Sequence, residues 1–567
     1  MVERPISPRR RPRICHIAAT TEGASWVFEQ LRELRDAHGF EVAAILNGET
    51  GALAERLKAA GIPVFCSDFD FTSSRDVFSL PRKVWALMRL LQRERFDVVQ
   101  THLFHSMVIG RVAGWFADVP VSLSMIAGPF HLEAYTPRWI DKATAWMDTS
   151  IIASCEFTRT LYLGMGVPAR KLELVYYGPD EARFDPARTA PAGLREQYGW
   201  AADTPIIGMV AYFYTELPSN RWIPSAVQGR SVKRQEDLIR AVPRILEEFP
   251  NAKLVLVGSG WEEGGRLYME RMRALVGELG LNDSVVFTGF RTDVPGILRD
   301  LDVSVQASAS ENLGGTIESL LMECPTVATR VGGMTDSVID GVTGVLAEPS
   351  SPLALADGVL RLLRDRDEAR RLAAAGRQHM LARFTLRSTA ADLAALYRRG
   401  LATAPEGYRA LVAIPKFVVG AAVCFAVALR YGVADAWWLS ARDLGSSPWQ
   451  SVRLRASMAL SRLYARIGKF AERSTAWAAW RSARQRLRAS PTPALQPRET
   501  PKRLKPVIES AAPVAAPGRA IASGRLRGRL TALKHRTWYR FLAFVGRNSS
   551  FGLRARMRSI LSRQRKL

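Results

Sequence analysis

Short apolar runs, many of them rich in Val and Ile, alternate with longer stretches of helical periodicity over the first 400 residues. The runs lie at 14–19, 41–46, 97–102, 121–126, 151–155, 172–177, 206–211, 253–258, 284–289, 303–307, 326–330 and 344–349. Runs of this length with a helical stretch between them are typical of βαβ units, whose strands lie side by side in parallel sheets. The pattern therefore predicts an α/β fold built from doubly wound parallel sheets.

A segment rich in Pro, Ala and Asp divides the runs into two equal sets. We assign residues 1–180 to an N-terminal domain, 181–204 to a linker and 205–401 to a C-terminal domain. The length of 567 residues also exceeds what a single core normally serves. Ligands of such sheets bind beyond the C-terminal ends of the strands, so the loops that follow the strands are where a site is expected.

The net charge of +25 is concentrated in the last part of the chain. From Leu401 onward there are 32 Lys and Arg against 6 Asp and Glu, so the first 400 residues are nearly neutral. The excess indicates a basic, mainly helical C-terminal extension on an ordinary α/β core. No zinc or helix-turn-helix signature accompanies it, so a nucleic-acid partner is not expected. Nucleic-acid binding and packing as a plain helical domain are the alternatives for this extension.

Three parts make up the extension. Residues 402–489 mix Arg with Leu, Ala, Tyr and Trp at helical spacing, 490–518 form a Pro/Ala-rich linker, and 519–567 form a basic tail. The first part is typical of helices that lie on an anionic membrane surface. Its longest uninterrupted apolar run, 417–429, has 13 residues, whereas a membrane span needs about 20. We therefore expect a peripheral or monotopic protein on the inner face of the cell membrane.

The cysteines and the N-terminus both favour a cytoplasmic location. The first 13 residues lack the apolar core of a signal peptide. The cysteines are scattered without metal-binding spacing, which predicts free thiols in a reducing compartment. They are Cys15, Cys66, Cys155, Cys324 and Cys424.

One glycine-containing stretch in the second domain indicates a chemistry. Gly314 and Gly315 leave backbone N–H groups uncovered where a helix is predicted to begin, and such groups can hold a diphosphate. Glu318 follows about one turn into that helix, with Asn312 and Thr316 as neutral polar neighbours. Because phosphate repels a carboxylate, the expected partner of Glu318 is a pair of hydroxyls. The stretch therefore predicts a nucleotide-sugar site.

The same stretch resembles the donor-binding segment of the retaining glycosyltransferases of family four. The matching residues are Glu311, Gly314, Gly315, Glu318, Pro325, the Val-Gly-Gly turn at 331–333 and the Gly-x-x-Gly hairpin at 341–344. The family usually has seven residues between the glutamates, and this chain has six. The resemblance implies the glycosyltransferase-B fold, in which two domains face a cleft and the last helix crosses back onto the first domain. It adds Asn312, Leu313 and Thr316 to the donor-binding residues.

Glycosyl transfer needs positive charge at the leaving diphosphate. In the family, an arginine follows the first strand of the second domain and a lysine precedes the next helix. Lys233 matches the lysine, so the resemblance assigns it to the diphosphate and makes it a catalytic residue with Glu311. The arginine position holds Tyr212 or Tyr214, and the candidate replacements in the insertion that follows are Arg221 and Arg230.

Three further residues complete the predicted site. Gly258 follows a Val-rich run and resembles the Val-Gly-x-Gly turn of the family. In the first domain, His102 ends an apolar run and matches a histidine whose imidazole approaches the donor sugar or its phosphate. Gly23 lies before the first helix, where donor and acceptor meet in this fold. His105 and His131 are weaker candidates.

The predicted function is that of a retaining glycosyltransferase, which moves a sugar from a nucleotide-diphospho-sugar to a glycan or lipid-linked acceptor. No metal is expected, because Lys233 and the helix amides can take its place, and no cofactor besides the donor is implied. A nucleotide-sugar epimerase on the same architecture is one alternative. A non-catalytic membrane-bound sugar-nucleotide sensor or scaffold is the other, and the missing arginine and the shortened glutamate spacing keep it open.

Overall fold

The computed structural model describes residues 11–71 and 74–404, which form two parallel sheets with helices on both faces. The strands of the first sheet are β1 Arg13–Ala18, β2 Glu41–Leu46, β3 Val64–Cys66, β4 Val98–His102, β5 Val121–Ile126, β6 Ser150–Ala153 and β7 Leu172–Leu174. Their spatial order is β3-β2-β1-β4-β5-β6-β7. The reversal of strand order between β1 and β4 places the loops after these two strands at a crevice, where ligands of such sheets bind.

The second sheet has six strands and the same winding. They are β8 Ile206–Val210, β9 Lys253–Val257, β10 Val285–Gly289, β11 Val303–Gln306, β12 Thr326–Thr329 and β13 Val345–Ala347. Their order is β10-β9-β8-β11-β12-β13, so the reversal here lies between β8 and β11. The two doubly wound sheets confirm the predicted fold class.

The helices fill the intervals between the strands. In the first domain they are α1 Ser25–Asp36, α2 Ala52–Ala59, α3 Ser74–Glu94, α4 Phe104–Phe116, α5 Phe130–Glu133, α6 Tyr135–Thr144 and α7 Glu156–Gly164. The helices that follow are α8 Leu194–Tyr198, α9 Gln235–Leu246, α10 Glu262–Glu278, α11 Val294–Asp300, α12 Thr316–Leu321, α13 Met334–Ser337, α14 Pro352–Arg364, α15 Arg366–Arg383 and α16 Leu386–Thr403. Three-residue 3-10 turns lie at Ala145–Met147, Ala169–Lys171 and Ser225–Val227.

The twelve apolar runs correspond to twelve of the thirteen strands, and the strand that the pattern misses is β3. It has only three residues, lies at the edge of the first sheet, and is partly exposed. Its apolar residues lie between Pro63 and Ser67, so they form a shorter run than the five or six residues of the others. The interior strands differ: β5 and β11, for example, are buried along their whole length.

The last helix belongs to the second domain by sequence and to the first by packing. Leu393, Ala394 and Tyr397 of α16 lie in a buried cluster with Val98 and Leu123 of the first sheet. Two hydrogen bonds fix the beginning of α16: the Leu386 N–H donates to Pro179 O (2.9 Å), and the Thr389 hydroxyl donates to Tyr176 O (2.7 Å). The helix therefore crosses back onto the first domain, as the resemblance implied.

The predictions of free cysteines and of membrane association concern residues that the structure describes only in part. Cys15, Cys66, Cys155 and Cys324 are free thiols, and all but Cys66 are buried; Cys424 lies outside the described residues. Within 11–71 and 74–404, no helix is long and apolar enough to cross a membrane. The predicted membrane-associated region, linker and basic tail lie almost entirely outside the described residues.

Candidate functional site

The loop between β11 and α12 is held in shape by glycines that approach other backbone closely. Gly314 adopts φ +56°, a left-handed conformation that favours glycine. Gly332 also has a positive φ (+51°), and a Cβ there would lie 1.8 Å from Glu311 O. A side chain at Gly332 would push the Val-Gly-Gly turn away from the Glu311 loop. The glycine spacing that the sequence singled out is thus a requirement of the loop's geometry.

Open backbone donors lie along this loop, as predicted. Within the part of the chain that the structure describes, the N–H groups of Leu313, Gly314 and Gly315 donate no hydrogen bond. They immediately precede α12, which has six residues and begins at Thr316. The Thr316 hydroxyl is buried and bonded to Ser337 Oγ at 2.7 Å, so it supports the loop and does not face a ligand.

Lys233 and Glu311 form an ion pair between their Nζ and Oε2 atoms. Their side chains are only 18% and 16% exposed. Ser308 Oγ donates to the same carboxylate oxygen at 3.1 Å, and the Asn312 N–H donates to its other oxygen at 3.1 Å. Burial alone would lower the pKa of Lys233, but the attraction of Glu311 holds it above its usual value. Lys233 is therefore a fixed cation beside the open amides of the loop.

Glu318 lies close by without a hydrogen-bond donor for one of its oxygens. Its Oε2 is buried and has no partner among the described residues. Burial raises the pKa of Glu318, and the opposing attraction of Lys233 and Arg183 does not cancel that effect. Arg183 is an exposed linker residue that no sequence motif marks. A half-buried carboxylate with a free acceptor oxygen suits a ligand that brings hydroxyl groups.

The predicted arginine position is occupied by aromatic side chains. The ring of Tyr212 stacks against Phe290 (centroids 6.4 Å apart, 20° between planes) and meets Trp261 edge-on at 5.2 Å. Arg230, one of the two candidate replacements, is exposed and its Nη1 lies 3.4 Å from Ser350 Oγ. None of its contacts among the described residues joins it to Lys233. The structure thus brings Lys233, Glu311 and Glu318 together and leaves Arg230 outside that group.

Two sequence families together match more than half of the length of the chain. Residues 22–178 match the glycosyl transferase 4-like domain, and residues 219–379 match the family of glycosyl transferases group 1. The chain belongs to the group 1 glycosyl transferases.

Curated relatives of this group 1 glycosyl transferase act on different acceptors, by their names. A GDP-mannose-dependent alpha-(1-6)-phosphatidylinositol monomannoside mannosyltransferase of Mycobacterium tuberculosis is 30% identical over 252 residues, which are 43% of this chain and 60% of that protein. A 2-deoxystreptamine glucosyltransferase of Streptomyces kanamyceticus is 27% identical over 341 residues, 55% of this chain and 80% of the relative. The chain thus spans about three fifths of the length of the mycobacterial relative.

Solved structures support the fold. The Anabaena protein HepE in complex with UDP has a TM-score of 0.57 at 20% identity, and the match covers 68% of this chain and 100% of HepE. Sucrose-phosphate synthase of Thermosynechococcus elongatus has a TM-score of 0.55 at 21% identity, over 69% of this chain and 100% of the synthase. At these identities the likeness shows the fold alone.

The two domains of this group 1 glycosyl transferase contact each other through polar side chains around the Glu311 loop. Ser154 Oγ donates to Asn312 Oδ1 at 3.0 Å, and Ser310 Oγ donates to Glu133 at 2.5 Å. Asn312 was predicted to bind the donor, but its side-chain oxygen is used here to join the domains. Leu313 is buried, so its backbone alone can face a ligand.

Gly23 and Gly258 each lie in close contact with a loop of the second domain: Gly23 is near Trp261, and Gly258 is near Ala211 and Tyr212. A Cβ on Gly23 would lie 3.5 Å from the Trp261 ring, so this first-domain glycine touches the second domain. A Cβ on Gly258 would lie 2.1 Å from Ala211 O, so only glycine lets these two loops of the second sheet approach each other. The residue that begins α1 is Ser25, and the residue before it is Ala24 in a left-handed conformation.

His102 lies in the interior of the first domain, with no exposed surface. Its Nε2 is 3.1 Å from His16 Nδ1 and 3.2 Å from Gln100 Nε2, and His16 is in turn 3.0 Å from the Tyr397 hydroxyl. Burial lowers the pKa of His102 to about 3, so the imidazole is neutral. His102 thus joins β4 to β1, and His16 continues the contact to α16. The Nδ1 atom of His102 is buried without a hydrogen-bond partner among the described residues, and its contact with a donor stays a prediction.

The weaker histidine candidates and Asp68, a carboxylate of the first domain, also have protein partners. His105 packs against Phe71 with ring centroids 4.7 Å apart, and His131 Nε2 is 3.0 Å from Asp141 Oδ2. Asp68 forms an ion pair with Lys83 at 3.0 Å. Among the described residues, no group of three or more His, Cys, Asp or Glu is arranged to hold a metal ion.

Proposed function

We propose that this chain is a retaining glycosyltransferase that moves a sugar from a nucleotide-diphospho-sugar to a glycan or lipid-linked acceptor, without a metal ion. Membership of the group 1 glycosyl transferases supports the transfer reaction. The observation that carries the donor assignment is the free Oε2 of Glu318 beside the fixed cation of Lys233. A nucleotide-diphospho-sugar would satisfy both groups, because the hydroxyls of its ribose or sugar can donate to Glu318 and its diphosphate can pair with Lys233.

The loop and Lys233 have different roles in the proposed donor site. The open N–H groups of Leu313, Gly314 and Gly315 would donate hydrogen bonds to the phosphate oxygens, and Lys233 would carry the positive charge that the leaving diphosphate needs. Glu311 and Ser308 fix the position of the ammonium group before the donor binds. Preorganised charge of this kind costs no rearrangement at the moment of bond cleavage.

The retaining outcome is proposed to follow from attack on the same face of the sugar that the diphosphate leaves. In that scheme the acceptor hydroxyl gives its proton to the departing diphosphate as its oxygen bonds to the anomeric carbon. The scheme needs no carboxylate on the opposite face to act as a nucleophile. It rests on the family resemblance and on the assignment of Lys233 and the amides to the diphosphate.

A lipid-linked acceptor would explain the basic extension that follows the enzyme. The named activity of the mycobacterial relative includes a phosphatidylinositol acceptor. We propose that residues 402–567 hold the enzyme on the anionic inner face of the cell membrane, where such an acceptor would be reached.

Thermal stabilisation of the purified full chain by GDP-mannose, UDP-glucose, GDP and UDP, each with and without EDTA, tests the donor site. A shift with one diphospho-sugar that EDTA does not change, and that Glu318→Ala abolishes, is the expected result. Ligand at 100 times its Kd stabilises by about 2.7 kcal/mol, which such a melt resolves. A shift that needs a divalent ion, or one that Glu318→Ala leaves unchanged, would overturn the assignment.

The second candidate function is a non-catalytic sugar-nucleotide sensor, and one observation favours it. Tyr212 and Tyr214 stand where a diphosphate-binding arginine is expected, and their rings pack with Trp261. A sensor would bind the donor without releasing nucleoside diphosphate. Release of that product in the presence of a membrane lipid extract distinguishes the two functions.

A further inference from the structure

The outer face of α6 and the turn after it exposes large aromatic side chains. Tyr135 is 52% exposed, Trp139 is 42% exposed and Trp146 is 47% exposed. Arg138 and Lys142 lie on the same face at helical spacing. We call these five residues the aromatic–basic patch. Exposed aromatic residues clustered in this way commonly mark an interaction surface.

The patch is a consequence of how α6 divides its residues between the core and the surface. Ile140, Asp141 and Thr144 point inward and are buried. On the outside, the Lys142 ammonium lies 5.2 Å from the Trp139 ring centroid, and Tyr135 and Trp139 meet edge-on at 6.5 Å. Tyr135 and Trp139 are therefore held at the surface by each other and by a cation, whereas the Trp146 ring lies edge-on against Trp115 of α4 at 5.3 Å.

The insertion between β8 and α9 of the second domain extends this surface. The Arg221 guanidinium lies 5.3 Å above the Tyr135 ring, and the Thr136 N–H donates to Arg221 O at 3.0 Å. On the other side of the patch, Lys171 Nζ donates to Trp146 O at 3.0 Å. Both neighbours add positive charge next to exposed aromatic rings.

The carboxylates of this segment are withdrawn from the surface. Asp141 and Asp148 are fully buried as side chains and both pair with the buried Arg111. Attraction to Arg111 and to His131 outweighs burial and holds the pKa of Asp141 below its usual range. From Tyr135 to Asp148, the exposed part of the segment thus presents aromatic rings and cations but no carboxylate.

We propose that the aromatic–basic patch docks the first domain onto an anionic lipid bilayer. Trp and Tyr side chains favour the boundary between headgroups and acyl chains, and Lys and Arg beside them are attracted to anionic headgroups. The inference extends the proposed function, which assigns membrane contact to residues 402–567 alone. It is testable whether or not sugar transfer is observed, because lipid contact is measured directly.

The charge of the patch argues against two other occupants. A second copy of the chain, related by a two-fold axis, would bring the same cations against each other. The C-terminal extension has 32 basic and 6 acidic residues, so it would be repelled as well. A surface of negatively charged phosphates is the complementary partner.

Photo-crosslinking in the full chain tests the proposal at the level of single residues. The photoreactive amino acid p-benzoylphenylalanine would replace Trp139, and in a matched control it would replace Leu353, which is 61% exposed on α14. Each protein is irradiated with phosphatidylglycerol vesicles or phosphatidylcholine vesicles, and adducts are identified by mass spectrometry. The control has the same extension, so attachment through residues 402–567 affects both proteins equally.

The expected result is at least tenfold more lipid adduct at position 139 than at position 353, with phosphatidylglycerol only. Arg138→Gln with Lys142→Gln should lower that adduct several-fold while leaving the yield at position 353 unchanged. Equal yields at the two positions, equal yields with the two lipids, or crosslinks from position 139 to protein would overturn the proposal. Placement of the probe at Trp146 repeats the test if the first variant does not fold.

Discussion

Replacing Tyr397 by Phe removes one oxygen atom from the contact between the last helix and the first sheet. The Tyr397 hydroxyl donates to Gln100 Oε1 at 2.7 Å and lies 3.0 Å from His16 Nε2, and all three side chains are fully buried. The ring itself keeps its edge-on contact with Phe40 at 5.9 Å. Loss of the hydroxyl leaves two buried polar atoms without this partner, at a cost of about 1–3 kcal/mol for an orphaned group. We expect the free energy of opening of this contact to fall by about 2–3 kcal/mol in total.

Hydrogen exchange measured as a function of urea concentration reports the free energy of opening for each segment. For Tyr397→Phe, peptides from β1, β4 and α16 should exchange about 30- to 150-fold faster, because 1.4 kcal/mol is a factor of ten. Tyr177→Phe is the matched control. Its hydroxyl is also buried but has no partner among the described residues, so its removal should not speed exchange. Equal effects of the two substitutions, or no effect at Tyr397, would refute the reasoning.

Three further predictions concern the site and the buried charges. Lys233→Ala should lower kcat/KM about 100-fold, since one well-placed donor is worth roughly 3 kcal/mol; a fall of less than tenfold would mean that another cation serves the diphosphate. Glu318→Gln should weaken donor binding measured by calorimetry. It should also raise the melting temperature of the empty protein at pH 7, because burial raises the pKa of Glu318 and so makes its charged form costly. A lower melting temperature would contradict this. Asp141→Asn should remove a stabilisation that is complete above about pH 4 and is lost as the pH falls further, because Arg111 holds the pKa of Asp141 low; urea midpoints that respond to pH like the parent's would contradict it.

Local features of the fold were predictable because they depend on neighbours in the chain. Strands β2 and β9 are buried over all but their first residue, so their apolar runs are continuous and visible in the sequence. The turn at 331–333 and the loop at Gly314 need glycine for backbone reasons, so their spacing is visible in the sequence. The apolar part of β3 has only three residues between Pro63 and Ser67, so it is too short to stand out as a run.

Contacts between distant residues were not predictable in this way. His102 ends a strand, as expected, but its partner His16 is 86 residues away and Tyr397 lies 381 residues beyond His16. Nothing in the sequence indicates that these side chains meet one another. The neighbour Arg183 of Glu318 escaped notice for the same reason, because a linker arginine carries no motif.

The path of α16 has a consequence for how the protein is made. Ribosomes release a chain from its N-terminus, so the first sheet emerges early and can begin to collapse at once. Its covering helix, however, is encoded more than 200 residues after β7, beyond the whole of the second domain. Until Leu393 and Tyr397 arrive, the apolar groove that they fill stays open to water. The second domain can therefore complete its core before the first, and the nascent first domain is a natural client for a chaperone.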